Sequence, residues 1–397
     1  MKKILLASPR LLGNEVEYVL DALKSGWIAP LGEYVNRLEK GIEGVTGAKG
    51  AVAVSSGTAA IHLALLEAGV KAGDTVFCSD MTFTASANPI LYCGATPVFI
   101  DSERESFNMS PVALEKAFKK YKPKAVIVAS VYGVPAMLEE IADICNRYDC
   151  TMIEDSTEVL GSTYHNKPAG TWGKYGTFSF NGNKVITTSG GGMLVSNDLK
   201  SLTHALSLAT QAKKKSRYYE HEELGYNYRL SNISAAIGVG QLEKLDEAIE
   251  MRRDIYFRYA EALERFYDYG VRMLAVPEDR TSNFWLSILT LDDVSLIKPE
   301  EIVDVLARED IEARHIWKPL HTQKLFAGAD FIREDDKAKM SNSDYFFTHG
   351  VCLPSDVNMT EADQDRVISV MRSYIDLVLR VNYEGGSEAG QLAAGGA

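Results

Sequence analysis

From Ala51 onward, short runs of β-branched and apolar residues alternate with stretches whose apolar residues recur every three or four positions. This alternation constrains the fold most, because the two spacings belong to strands and helices respectively. Ala51-Val-Ala-Val54 reads as a strand and Ser55-Ser-Gly-Thr58 as a tight turn. Ile61, Leu65 and Ala68 then share one helical face. Further strands are predicted over 75–78, 97–101, 125–129, 151–154 and 176–180. Between them, one helix starts at Ser110-Pro111 and carries Leu114, Ala117 and Phe118. Another, over 137–148, carries Leu138, Ile141, Ile144 and Cys145. Strands separated by helices pair in parallel, so the chain is expected to be α/β, with a layered domain around a largely parallel sheet.

After about residue 232 the pattern changes. A long helical stretch over 233–266 carries Leu242, Leu245, Ile249, Ile255 and Tyr259 and is expected to connect two domains. Beyond it a strand over 284–291, a helix over 299–307, a strand over 311–316 and a helix over 360–379 suggest a smaller α+β domain. Thr360 and Asp363 form a capping pattern for that last helix. The expected division is a large domain over 1–245, a small one over 246–384, and a glycine- and alanine-rich tail over 385–397 that offers no packing face.

Composition narrows the function. With 42 Lys and Arg against 54 Asp and Glu the net charge is −12, which argues against a nucleic-acid or anionic-membrane binder. At 46% hydrophobic and 24% charged residues the 397-residue chain is that of a globular protein. Its five cysteines form no Cys-x-x-Cys pair and sit mostly in apolar segments, so neither a disulfide framework nor a metal site is expected. The apolar run at the N-terminus stops after Ala7, with no small-residue cleavage site, and no later run approaches a membrane span. A cytoplasmic location is expected.

Four features fall at the C-terminal ends of predicted strands, the edge where open α/β sheets place ligands. Ser55-Ser56-Gly57-Thr58-Ala59 joins a strand to a helix, so it is either a phosphate cradle or an ordinary capped turn. Asp155 ends the strand Met152-Ile153-Glu154, where it can bond a protonated ring nitrogen or cap a loop. Lys184 follows Phe178-Ser179-Phe180-Asn181-Gly182-Asn183 and precedes Val185, Ile186 and the run Gly190-Gly191-Gly192. Most lysines are solvated, but a desolvated one forms Schiff bases. Phe83, in Thr82-Phe83-Thr84, is a core aromatic or a stacking surface for a flat cofactor.

Six motifs in order resemble the DegT/DnrJ/EryC/StrS nucleotide-sugar aminotransferases, pyridoxal-phosphate enzymes of fold type I, like aspartate aminotransferase. They are Gly26-Trp27-Ile28, Ser56-Gly57-Thr58-Ala59-Ala60, Thr82-Phe83-Thr84-Ala85, Glu154-Asp155, Phe178-Ser179-Phe180 with Lys184, and Gly225-Tyr226-Asn227-Tyr228-Arg229. The resemblance runs nearly to Leu379. Arg314-His315-Ile316-Trp317-Lys318-Pro319-Leu320-His321 is similar to the subgroup acting on UDP-linked 4-keto-6-deoxy-N-acetyl sugars, as in bacillosamine synthesis for bacterial protein glycosylation.

The resemblance implies that Lys184 carries pyridoxal 5'-phosphate as a Schiff base and that Asp155 partners its pyridine nitrogen. It also implies that Phe83 stacks on the ring and that Gly57, Thr58 and Ser179 bind the phosphate. Asn227 would enter the neighbouring subunit's site in a homodimer with shared active sites. Trp27, Arg229, His315 and His321 would contact the nucleotide sugar, with Arg229 on the pyrophosphate. One departure is Glu158, which stands near the cofactor's ring hydroxyl where the family commonly has His or Gln. Its carboxyl must be protonated or turned toward another donor, and its pKa should be raised if it is buried there.

The expected activity is transfer of an amino group from glutamate, by way of pyridoxamine phosphate, to the 4-keto carbon of the UDP-sugar. The alternatives are another nucleotide-linked keto sugar, or a sensor that binds these ligands without turnover. A nucleotide-dependent oxidoreductase would want Gly-x-Gly-x-x-Gly where this chain has Ser-Ser-Gly-Thr.

Overall fold

The computed structural model describes residues 2–384; the expected tail over 385–397 lies outside them. In chain order the strands are β1 (Gly50–Val54), β2 (Thr75–Ser79), β3 (Thr96–Ile100), β4 (Ala125–Ala129), β5 (Thr151–Asp155), β6 (Thr163–Tyr164), β7 (Lys167–Pro168), β8 (Tyr175–Ser179), β9 (Gly192–Ser196), β10 (Val271–Met273), β11 (Ser287–Leu291), β12 (Arg314–His315), β13 (Asp330–Ile332) and β14 (Gly350–Leu353). Eight of them form one sheet in the order β1-β9-β8-β5-β4-β2-β3-β13. Every neighbour pair from β8 to β13 is parallel, while β9 runs antiparallel to both β1 and β8.

Side-chain alternation explains why both faces of this sheet are covered. On β4, Ala125 and Ile127 enter one core with Val76 and Cys78 of β2, while Val126 and Val128 enter the opposite core with Phe77. A strand buried on both faces needs helices on each. Gly57–Glu67 packs on the first side, and Pro111–Lys120 and Leu138–Arg147 on the second. Ligand access is then left to the strand ends.

A second sheet, β10-β11-β14-β12, is antiparallel throughout. It shares a core with the helices Leu245–Leu263, Pro299–Arg308 and Glu361–Leu379, built on Tyr259, Leu289, Leu306, Val351 and Met371. The expected boundary near residue 245 is crossed in both directions. Strand β13 joins the large sheet beside β3, and Ile4 bridges Ile311 and packs into the smaller core.

The single helix expected over 233–266 is two, Asn232–Leu242 and Leu245–Leu263, followed by a 3-10 turn. The first helix packs between Glu15–Ser25 and Glu33–Thr46, with Ala235, Ala236 and Val239 in the central core. The second delivers Ile255 and Tyr259 to the smaller core, so the chain turns between them to serve both. Thr360 caps the last helix with Asp363 as the pattern indicated.

Glu154 is a structural anchor on β5. Its carboxylate accepts N–H groups from Gly170 at 2.7 Å, Trp172 at 2.5 Å and Gly173 at 2.6 Å. Burial pushes its pKa up to about 7, and the three N–H donors hold it down against that pressure. Glu154→Gln turns an amide NH2 toward these donors. It is expected to cost about 1–3 kcal/mol, seen as a melting temperature lowered by a few degrees at pH 8. An unchanged melt would show that water satisfies the loop as well as Glu154 does.

Candidate active site

A pocket of about 470 Å³ opens where the predicted strand ends converge. Ser55 to Thr58 after β1, Ser130 after β4, Asp155 at the end of β5 and Ser179 at the end of β8 line it from the large sheet. Trp285, Arg314 and Trp317 line it from the C-terminal half of the chain. Lys184, Glu158 and Phe83 complete the set of sequence-predicted residues that the fold brings together.

The Lys184 side chain is only 13% exposed, and its Nζ lies 3.5 Å from Glu158 Oε1 and 3.9 Å from the ring centre of Trp285. An ammonium held largely away from water needs such partners. Its turn is clamped from the second half of the chain. Trp285 Nε1 donates to the Asn183 carbonyl at 2.7 Å, and Arg252 Nη2 to that of Lys184 at 3.4 Å. Glu158 is itself buried and accepts the Tyr132 N–H at 2.8 Å. Burial, helped by the charge of Asp155, raises its pKa, while Lys184 and the Tyr132 N–H pull the other way. The carboxyl expected to need another donor has found two.

Asp155 is buried, and Ser86 Oγ donates to its Oδ2 at 2.5 Å while Thr157 N–H donates to its Oδ1 at 3.2 Å. Ser86 in turn contacts Thr82 Oγ1 at 2.7 Å. Sequence reasoning missed Ser86, although it lies three residues past Phe83, and it missed Trp285 and Trp317. Phe83 is 51% exposed at the pocket lip, tilted against Trp317 with ring centres 5.2 Å apart.

The other expected site residues lie elsewhere in the single chain. Within Gly225-Tyr226-Asn227-Tyr228-Arg229, the two tyrosines stack at 5.0 Å and pack around His62 of the Gly57–Glu67 helix. Arg229 Nη1 donates to Glu39 Oε1 at 2.5 Å and to the Ala53 carbonyl at 2.9 Å, which fixes one nitrogen of the guanidinium inside the chain. Asn227 is exposed and outside the Lys184 pocket. Trp27, 59% exposed, shares a separate shallow pocket with Arg229. His315 is half-buried and outside the lining, and its Nδ1 is buried with no hydrogen-bond partner.

His321 is an anchor. Its Nδ1 lies 2.7 Å from Asp80 Oδ2, its backbone N–H donates to Oδ1 at 2.8 Å, and its ring stacks on Phe331 at 3.9 Å. Asp80 directly follows β2 and is fully buried, so the pair ties the segment after β12 to the large sheet.

A model of the DegT/DnrJ/EryC1/StrS aminotransferase family matches residues 9–372. The chain belongs to this family. EpsN of Bacillus subtilis is 51% identical over 375 residues, covering 93% of this chain and 95% of EpsN. The GDP-perosamine synthase of Caulobacter vibrioides is 35% identical, covering 94% of this chain and 98% of its own. Among solved structures, the PLP form of Spr1654 from Streptococcus pneumoniae superposes with a TM-score of 0.86 at 25% identity, over 95% of this chain and all of its own. This DegT/DnrJ/EryC1/StrS member is a fold type I, pyridoxal-phosphate-dependent nucleotide-sugar aminotransferase.

The pocket fits that cofactor. A Cβ on Gly57 would meet Thr157 Cγ2 at 2.9 Å and Ser179 Cβ at 3.0 Å, and one on Gly192 would meet the Ser56 backbone at 2.4 Å. Glycine at both positions lets the turn after β1 pack closely against Ser179 and β9, which sets the N-terminus of the Gly57–Glu67 helix at the pocket, where the helix dipole favours a phosphate. Ser56 Oγ caps that helix through Ala59 N–H at 3.0 Å. A lysine amine and a carboxylate line the same space.

Burial works against a charge on His321, but its hydrogen bond and attraction to Asp80 raise its pKa above the ordinary value. A raised pKa adds stability below the unfolded value near 6.5 and loses it as pH rises through the folded one. Removing the ring by His321→Ala leaves Asp80 buried without its counter-charge, at a cost of about 3 kcal/mol. Urea unfolding should show a larger deficit at pH 6 than at pH 9. An equal deficit at both would mean that the ring acts as a neutral hydrogen-bond partner.

Proposed function

We propose that this enzyme moves an amino group from glutamate to the 4-keto carbon of a UDP-linked 4-keto-6-deoxy-N-acetylhexosamine. The observation that carries the reading is a half-buried lysine whose amine is paired with Glu158, in one pocket with Asp155 and the N-terminus of the Gly57–Glu67 helix. When bound, pyridoxal phosphate supplies the electron sink that a lone amine cannot.

The chain's residues would do the rest. Gly57, Thr58 and Ser179 hold the phosphate, and Phe83 covers a face of the ring. Asp155, steadied by Ser86 and Thr157, keeps a proton on the ring nitrogen. Lys184 first carries the cofactor. Its freed amine, kept beside Glu158 and Trp285, then removes and returns the proton at the reacting carbon. Trp285 and Trp317 restrict water at the pocket wall.

The working unit is proposed to be a homodimer with shared active sites. Asn227, exposed in the single chain, would reach the partner's cofactor, and Trp27 and Arg229 would face the nucleotide sugar from that side. Exposed Trp27, Leu31 and Leu224 supply apolar surface of the kind an interface covers. Bacillosamine-type glycan synthesis is the setting that the Arg314–His321 segment favours. A second reading, a GDP-linked 4-keto sugar, is favoured by the identity to GDP-perosamine synthases.

Absorbance separates these readings. Glutamate should remove the visible band of the lysine-bound cofactor, and the UDP-linked keto sugar should restore it with kcat/KM at least about tenfold above that for a GDP-linked 4-keto-6-deoxyhexose, a margin of ~1.4 kcal/mol. The reverse ratio would assign the GDP reading, and a band that glutamate leaves intact would contradict glutamate as donor. Asp155→Ala should slow both half-reactions, and unchanged rates would remove Asp155 from the chemistry.

A further inference from the structure

The Lys184 pocket is lined by four charged side chains: Asp155, Glu158, Lys184 and Arg314. Lys184 is paired with Glu158, and Asp155 is held by Ser86 and Thr157. Arg314 is the lining cation left without a part in holding the cofactor. The donor in the reading above, on which this inference rests, is an amino acid carrying carboxylates into a space that already holds two. Like charges at that range repel unless a cation is supplied.

We propose that Arg314 binds a carboxylate of the amino-acid donor. Arg314 is on β12, whose backbone pairs with Cys352 of β14. Arg314 therefore lines the same pocket as Lys184 and Glu158, from the side of the smaller sheet. Glu312 Oε1 holds the guanidinium, accepting from Nε at 3.2 Å and from Nη2 at 2.6 Å. Glu312 is fixed in turn by the Leu6 N–H at 3.2 Å. A guanidinium has five donors, so capacity for a second carboxylate remains, and the planar fork suits a carboxylate's two oxygens. The side chain is 68% exposed, which suits a donor that must enter and leave before the sugar binds.

The test uses the cofactor-loaded enzyme and its Arg314→Ala and Arg314→Lys variants, with the visible band and the thermal melt confirming that each is folded and loaded. In Arg314→Ala the KM for glutamate should rise at least about tenfold, the scale of a lost charge-assisted contact. The limiting rate should stay within about threefold, and the KM for the keto sugar should not change. Inhibition by glutarate, which carries the carboxylates without the amine, should weaken in parallel. Arg314→Lys, which keeps the charge and loses the fork, should fall between. An unchanged KM for glutamate would overturn the proposal. So would a rise confined to the sugar, which would give Arg314 to the diphosphate. If the wild-type enzyme itself fails to react with glutamate, the donor reading fails and takes this inference with it. A normal wild type with an indifferent Arg314→Ala removes only the inference.

Discussion

A lysine amine can be taken out of water only if something replaces the water, and the Lys184–Glu158 pair meets that condition at 3.5 Å. Neither partner is stable there alone. Glu158 is buried near Asp155, so its charge is tolerated because the lysine and the Tyr132 N–H offset it. The lysine side chain, in turn, has the Trp285 ring on its other flank. The pair therefore depends on residues from three separate stretches of chain, near positions 132, 158 and 285.

That dependence explains why the second half of the chain is bound so firmly to the first. Asn283 donates to the carbonyls of Glu158 at 3.0 Å and Leu160 at 2.9 Å, and its own oxygen takes the N–H of Trp285 at 3.0 Å. Trp317 N–H donates to the Tyr132 hydroxyl at 2.6 Å, and His321 closes on Asp80. Apart from the local Asn283–Trp285 bond, these contacts cross from the chain after residue 280 to the half that carries the large sheet, and they place aromatic walls around the lysine. The pocket is thus built at the seam between the two sheets, lined from both.

Much of the large sheet was legible in the sequence because its strands are buried on both faces and read as continuous apolar runs, as at Ala125–Ala129. Strand β9 was missed because it follows Gly190-Gly191-Gly192, which reads as loop, whereas Gly192 is needed for close approach to Ser56. The residues around Lys184 were found because motif order places them at strand ends on one edge. Arg229 and His321 were expected at substrate, and the bonds their side chains make within this chain, to Glu39 and Asp80, were not foreseen. Spacing along a chain does not reveal which way a side chain turns. Ser86 and Trp285 carry no local signal, since their partners are 69 and 102 positions away.

The central claim is that Lys184, and no other lysine, holds the cofactor. Borohydride reduction of the yellow enzyme followed by peptide mapping tests it most directly, because reduction makes a Schiff base permanent. The account predicts a pyridoxyl-phosphate mass on the peptide containing Lys184 alone, absent when glutamate is added before reduction. The adduct on a different lysine, or none on a protein that retains the band, would contradict it.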